Sequence, residues 1–189
     1  MTRQILRAED RAPAPWKNGG GVTSEVAVHP PDAGTDDFGW RVSIADVVRG
    51  GPFSSFPGVD RIITVVDGPG MTLTVDGTSH TMDAPYEPFA FPGDAVTECL
   101  LLDGPVVDFN VMVRRADTTA RVRVVRSGTA VRPAPGSRVL AVVLAGSAVL
   151  RRDSVRLGRL DAVLISDGDH GFDVEGVLAI VDFTSVPGG

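Results

Sequence analysis

"RIITVVDGPGMTLTVDGTSHTMDAPYEPFAFPGDA", Arg61 to Ala95, has an echo later in the chain: "RVLAVVLAGSAVLRRDSVRLGRLDAVLISDGDH", Arg138 to His170. Each copy opens on an arginine and an apolar strand. A glycine turn is expected next, at Gly68 or Gly146, then a second strand and a polar turn. Each copy closes on a strand that runs into Gly-Asp, at Gly93-Asp94 or Gly168-Asp169. Two such units predict two β-barrels from one chain. The loop "RSGTAVRPAPGS", Arg126 to Ser137, is the expected join. It divides the chain into an N-terminal barrel of residues 1–126 and a C-terminal unit of residues 127–189, packed as one body.

The rest of the chain reads the same way. Short runs rich in Val, Ile, Leu and Thr recur between Gly, Pro and Asp clusters. Strands are expected at 22–28, 40–47, 61–66, 71–75, 95–102, 106–113, 121–125, 138–143, 148–152, 162–165 and 177–183. The 22 glycines and 14 prolines supply turns and oppose long helices. No helical period of useful length is present, so the fold class is all-β.

Composition narrows the function. The 189 residues, 43% of them hydrophobic, suffice for one large core or two small ones. Formal net charge is -6 and no basic tract stands out, which argues against nucleic acid as a partner. The most apolar run, Val139 to Leu150, is too short to span a bilayer and is broken by Gly146 and Ser147. The opening stretch has no apolar run of signal-peptide length. A single cysteine, Cys99, precludes an internal disulfide and suits a reducing compartment. A soluble, cytoplasmic protein with no membrane partner is expected; whether it forms a homodimer is open.

The three histidines, His29, His80 and His170, are dispersed, with no His-x-His pair. A typical metal site needs several such ligands to converge. No metal and no cofactor are expected.

One short stretch stands apart chemically. "PWKNGGGVT", Pro15 to Thr23, holds the only lysine, Lys17, beside one of two asparagines, Asn18; the other is Asn110. Arginine is used for every other fixed cation. The glycines permit positive φ and close approach of a ligand, and consecutive amides at Gly19 and Gly20 suit an anion. The spacing lacks the Lys-Ser/Thr ending of a phosphate-binding loop. The alternative is a surface turn with a solvated lysine.

Two strands alternate in an informative way. In "WRVSIADV", Arg41, Ser43 and Ala45 share one face; in "VVDFNVMV", Val106, Asp108, Asn110 and Met112 do. Such a face looks to water in an ordinary barrel, or inward in a ligand-binding one. "GGPFSSFPGVDR", Gly50 to Arg61, is a long turn with aromatic anchors Phe53 and Phe56. Arg61 could grip a carboxylate, and Asp60 could pair with Arg61 or cap the turn.

Together "PWKNGGGVTSEVAV", "FGWRVSIADV", "GPFSSFPGVDRIITVVDG", "FPGDA" and "DFNVMVRR" resemble the HutD/Ves family of bicupin proteins, one branch of which is associated with histidine utilisation. The motifs run in order from Trp16 to Arg115, and the C-terminal half is similar to the family's second cupin unit. The resemblance implies two cupin-like barrels without the metal-binding histidines of enzymatic cupins. It also favours the inward reading of Arg41, Ser43, Asp108 and Asn110. The family's motif residues fall here on Trp16, Lys17, Asn18, Gly19, Gly20, Thr23 and Glu25, on Arg41, Ser43, Ala45, Phe53, Phe56, Asp60 and Arg61, and on Phe91, Gly93, Asp94, Asp108, Asn110 and Met112.

The expected function is a non-enzymatic sensor or regulator that binds a small anionic metabolite of histidine or amino-acid catabolism. Lys17, Arg41 and Arg61 would offset its charge, and Asn18, Ser43 and Asn110 would hydrogen-bond it. Trp16 and Phe56 would cover it, with Gly19, Gly20, Thr23, Asp60 and Asp108 completing the site. The alternative is a metal-free isomerase or hydrolase with Lys17 or Asp108 as base.

Overall fold

A computed structural model of the chain describes residues 3–186. It divides into two compact units. One is Ala12–Asp117; the other joins the segment up to Arg11 with the chain from Thr118 onward. The strands, in chain order, begin with β1 (Arg3–Leu6), β2 (Pro13–Pro15), β3 (Gly21–His29), β4 (Trp40–Val47) and β5 (Gly51–Pro52). Next come β6 (Val59–Asp67), β7 (Met71–Val75), β8 (Thr78–Met82), β9 (Phe89–Pro92), β10 (Thr97–Leu101) and β11 (Val106–Arg114). The second unit adds β12 (Thr118–Val125), β13 (Thr129–Val131), β14 (Arg138–Leu150), β15 (Val155–Leu157), β16 (Ala162–Ile165) and β17 (His170–Ser185). One short 3-10 turn, Ala8–Asp10, is the only helical element among the described residues. No helix among them is long and apolar enough to cross a membrane.

In the first unit a six-stranded sheet runs β2-β3-β4-β11-β6-β9 and a four-stranded sheet runs β5-β10-β7-β8. Both sheets feed one core. Ala45, Ile63 and Val65 come from the larger sheet, Met71, Leu73 and Cys99 from the smaller. Alternation along each strand supplies these inward residues. Cys99 is buried here with its thiol 3.6 Å from Met71 Sδ, and burial pushes it up to about 11. It behaves as a small apolar side chain.

The second unit repeats this plan with fewer, longer strands. The order β12-β17-β14-β16 matches β4-β11-β6-β9, and β13-β17-β14-β15 matches β5-β10-β7-β8. Thus β14 does the work of β6 and β7 together, and β17 that of β11 and β10. The fold is two cupin-like β-barrels, as the repeat predicts. β1 adds to the edge of β16 with Arg3 opposite Ile165. β12, which precedes the expected join near Arg126, pairs along its whole length with β17.

The turn expected at Gly146 is not a turn. Gly146 lies inside the thirteen-residue β14, opposite Gly176 of β17, close to a bulge between Val143 and Ala145. Both glycines have positive φ, 70° and 136°. A Cβ on Gly146 would lie 2.1 Å from the Glu175 carbonyl oxygen. The pair lets two long strands bend sharply without breaking. The runs 138–143 and 148–152 are therefore one strand, and Arg151 and Arg152 lie in the turn that follows it. In the first unit the corresponding bend at Gly68 (φ 96°) does separate two strands, β6 and β7. β9 is the strand expected before Gly93-Asp94, whereas β1, β2, β5, β8, β13 and β15 carry no clear strand signal: each is two to five residues long, β2 and β5 contain proline, and β8 and β15 follow polar turns.

Candidate functional site

The first unit contains an open cavity of about 500 Å³. Its floor is made by three neighbouring strands, β4, β11 and β6. Their register stacks the inward side chains in rows. Arg41, Met112 and Arg61 form one row; Ser43, Asn110 and Ile63 the next; Ala45, Asp108 and Val65 the third. The polar faces of "WRVSIADV" and "VVDFNVMV" thus look inward. The rim is made by the β2–β3 hairpin, which brings Ala14, Pro15, Trp16, Lys17, Asn18 and Thr23, and by the loop after β5, which brings Phe53, Ser54 and Phe56.

Arg61 is the unusual group. It is only 6% exposed, and its Nε has no hydrogen-bond partner. Its guanidinium lies 4.9 Å from the centroid of Phe53, 5.7 Å from Phe56 and 5.1 Å from Phe91. Three rings compensate part of the lost hydration through cation–π attraction. They do not replace it: burial pulls the guanidinium down to about 10, with Asp108 acting in the other direction.

Asp108 is also desolvated, at 3% exposure, and its Oδ1 has no partner. Burial drives its carboxyl up to about 7; Arg61 opposes that rise and Asp46 adds to it. Asn110 Oδ1 is likewise buried without a partner. Leaving such groups unpaired is costly, and the second unit shows that the fold does not require it. Beyond the bulge in each central strand pair, Val65 faces Asp108 where Val143 faces Leu178, and Ile63 faces Asn110 where Ala141 faces Ile180. Arg61 corresponds to Val139 in that register. Val139, Leu178 and Ile180 are all within a closed apolar core.

The rim is better satisfied. Trp16 Nε1 donates to Thr23 Oγ1 at 2.7 Å, which fixes the indole over the hairpin. Arg41 Nε donates to Glu25 Oε2 at 2.8 Å, so its charge is partly offset. Lys17 and Asn18 line the cavity but are solvent-exposed.

Of the residues singled out in sequence, Trp16, Lys17, Asn18, Thr23, Arg41, Ser43, Phe56, Arg61, Asp108 and Asn110 meet around the cavity. Gly19, Gly20 and Asp60 do not. The Gly19 amide donates to the Trp16 carbonyl and the Gly20 amide to Asn18 Oδ1, so neither is free for an anion. Gly19 has φ 66°, and these bonds make "WKNGGG" a tight hairpin loop. Asp60 points elsewhere and pairs not with Arg61 but with Arg115, which also holds Asp94 and the Val59 carbonyl. Phe91 completes the cage around Arg61; the resemblance names it as a motif residue, in "FPGDA", but gives it no part in the expected site.

The histidines are spread out. His29 stacks on Trp40, His80 tilts against Phe89, and His170 is buried with Nε2 3.0 Å from the Asp167 carbonyl. No three His, Cys, Asp or Glu side chains converge among the described residues.

Comparison with known proteins agrees with the motifs. The HutD family model matches residues 8–180. An uncharacterized 21.2 kDa protein of the hutC 3′ region of Pseudomonas putida is 38% identical, covering 96% of this chain and 97% of that protein. Protein Ves of Citrobacter koseri is 43% identical over 58% of this chain and 56% of its own length. The structure of HutD from Pseudomonas fluorescens SBW25 superposes with a TM-score of 0.86 at 35% identity, covering 98% of this chain and all of that one. Solved structures at 9% to 12% identity share the fold alone. With the family match spanning both barrels, and with its motifs gathered around one cavity, the chain belongs to the HutD family.

Proposed function

We propose that the first unit binds a small anionic metabolite, and that the protein is a sensor or regulator linked to histidine or amino-acid catabolism. One observation carries the reading: a buried arginine, held by three phenylalanines and without a hydrogen-bond partner at Nε, lines an open cavity. A carboxylate would supply the missing partner and restore the lost charge compensation. Arg41 and Lys17 add positive charge toward the mouth, where they draw an anion in more than they hold it. The link to catabolism rests on the family and on the relative from the hutC region.

A second reading is favoured by Asp108. A carboxyl raised to about 7 and facing a cavity is suited to general acid–base work. In that case the protein is a metal-free isomerase or hydrolase. Asp108 is a better base than the exposed Lys17 because burial has already tuned it.

A thermal-shift screen of carboxylic acids from amino-acid breakdown, formylated and imidazole-containing acids included, tests the first reading. A ligand at a hundred times its dissociation constant adds about 2.7 kcal/mol of stability. The parent should respond to at least one acid and Arg61→Met should not. Turnover of the acid that binds, lost in Asp108→Asn, would move the protein to the second reading.

A further inference from the structure

Building on the proposed binding of a small acid, we infer that the ligand is bipolar: besides its acid group it carries an N–H or O–H donor, which Asp108 reads. The wall is itself polarised. Arg61 sits in the row nearer one end of β11, opposite Met112, and Asp108 lies two rows away. Four residues of strand separate those rows, about 13 Å along the backbone before the side chains reach toward each other. Arginine offers only donors, so the group that meets it is an acceptor. Once the pH exceeds its folded value of about 7, Asp108 is ionised and offers only acceptors, so it repels a second carboxylate and needs a donor. Its Oδ1 is buried and unpartnered, as is Asn110 Oδ1 between the two ends. Ser43 stands beside Asn110 on β4.

A simple monocarboxylate would satisfy Arg61 and leave Asp108 as it is. Such an occupant explains half of the polar wall. The other half is equally absent from the second unit, where Leu178 and Ile180 take the places of Asp108 and Asn110. Both halves are therefore departures from what the barrel needs, and one ligand with two opposite ends accounts for both.

Two pairs of acids separate the ends. In 3-(pyrrol-2-yl)propionate and 3-(furan-2-yl)propionate, a ring N–H is replaced by oxygen with little change of shape. In 4-acetamidobutyrate and 4-acetoxybutyrate, an amide N–H is replaced by an ester oxygen. Each acid is titrated at pH 8.5, where Asp108 is ionised, into the parent protein, Asp108→Leu and Asp108→Asn, with melting curves to follow folding. Leucine is already accommodated at the equivalent place in the second unit, and retained binding of a donor-free acid confirms an intact cavity. In at least one pair the N–H acid should bind the parent about tenfold or more tighter than its partner. That preference should vanish in Asp108→Leu and be reduced in Asp108→Asn. Equal binding within both pairs, or a preference that survives in Asp108→Leu, overturns the inference while leaving the small-acid reading intact. Failure of all four acids to bind the parent at millimolar concentration counts against both.

Discussion

Asp108 and Leu178 occupy the same place in two copies of one architecture, each in the first residue pair beyond the bulge that separates the central strands of its unit. One is an acid in a cavity wall and the other an apolar core residue that is 0% exposed. The second unit is thus an internal control for the first. What both copies share serves the fold; what only the first has calls for a different reason.

The polar wall should cost stability. Replacing Arg61 and Asp108 together, as Arg61→Met with Asp108→Leu, removes two desolvated charges without leaving either alone. Unfolding of the ligand-free double variant should require about 1–4 kcal/mol more than the parent. Arg61→Met alone should gain less, because Asp108 then loses the one nearby cation that opposes its burial. Urea denaturation of the three proteins measures this.

Acidity should act on the same wall with a definite sign. Asp108 binds its proton more tightly folded, with a value about 7, than in the unfolded chain, where about 3.9 is usual. Its contribution is fully present below pH 4 and is lost as the pH climbs through 7. Asp94 works oppositely: its bonds to Arg115 hold it down at about 2, so its contribution is present above pH 4 and lost as the pH falls toward 2. Melting temperature against pH should therefore fall between pH 5 and 8 in the parent more steeply than in Asp108→Asn. An Asp94→Asn variant should therefore be less stable than the parent above pH 4, and the difference should close as the pH falls toward 2.

Two glycines of similar φ should tolerate substitution very differently. Gly146→Ala drives a methyl to 2.1 Å from the Glu175 carbonyl and should destabilise by several kcal/mol. Gly19→Ala has the same sign of φ but nothing within 4 Å of the new methyl. Its cost should be about 1–2 kcal/mol, that of the left-handed backbone alone. Thermal melts of the two variants give the comparison.

The sequence made the architecture legible because its strongest strands are long enough to alternate clearly. β4, β7 and β16 fall on their expected bounds, and the copy at Arg138 announced the second barrel. Gly146 misled because glycine marks a turn and a bulge equally well; only its pairing with Gly176, thirty residues away, decides between them. At the site, alternation in β4 and β11 could say which residues share a face but not which way that face looks. The rare Lys17 and Asn18 drew attention to the rim, where side chains are exposed and Asn18 bonds within its own loop. The sequence offers Arg61 as a carboxylate anchor at the end of a turn, but carries no sign that it is buried. Phe53 and Phe56 come from the loop just before it, but Phe91 comes from β9, thirty residues on, and that convergence no local pattern carries.

Lys17 and Arg61 should therefore contribute unequally. Lys17→Ala should weaken binding of an acid by less than about 1 kcal/mol, and more at low salt than at high, as befits an exposed cation. Arg61→Met should cost about 2–5 kcal/mol and change little with salt. Titrations of the two variants at two ionic strengths distinguish a steering charge from a holding one.

Calorimetric titration of the parent and Arg61→Met with the acid that stabilises the parent most tests the central claim directly. One molecule should bind per chain, because only the first unit has the polar wall. Arg61→Met should remain folded and bind at least thirtyfold more weakly, in line with about 2 kcal/mol or more lost. Binding by folded Arg61→Met as tight as the parent's would contradict the account.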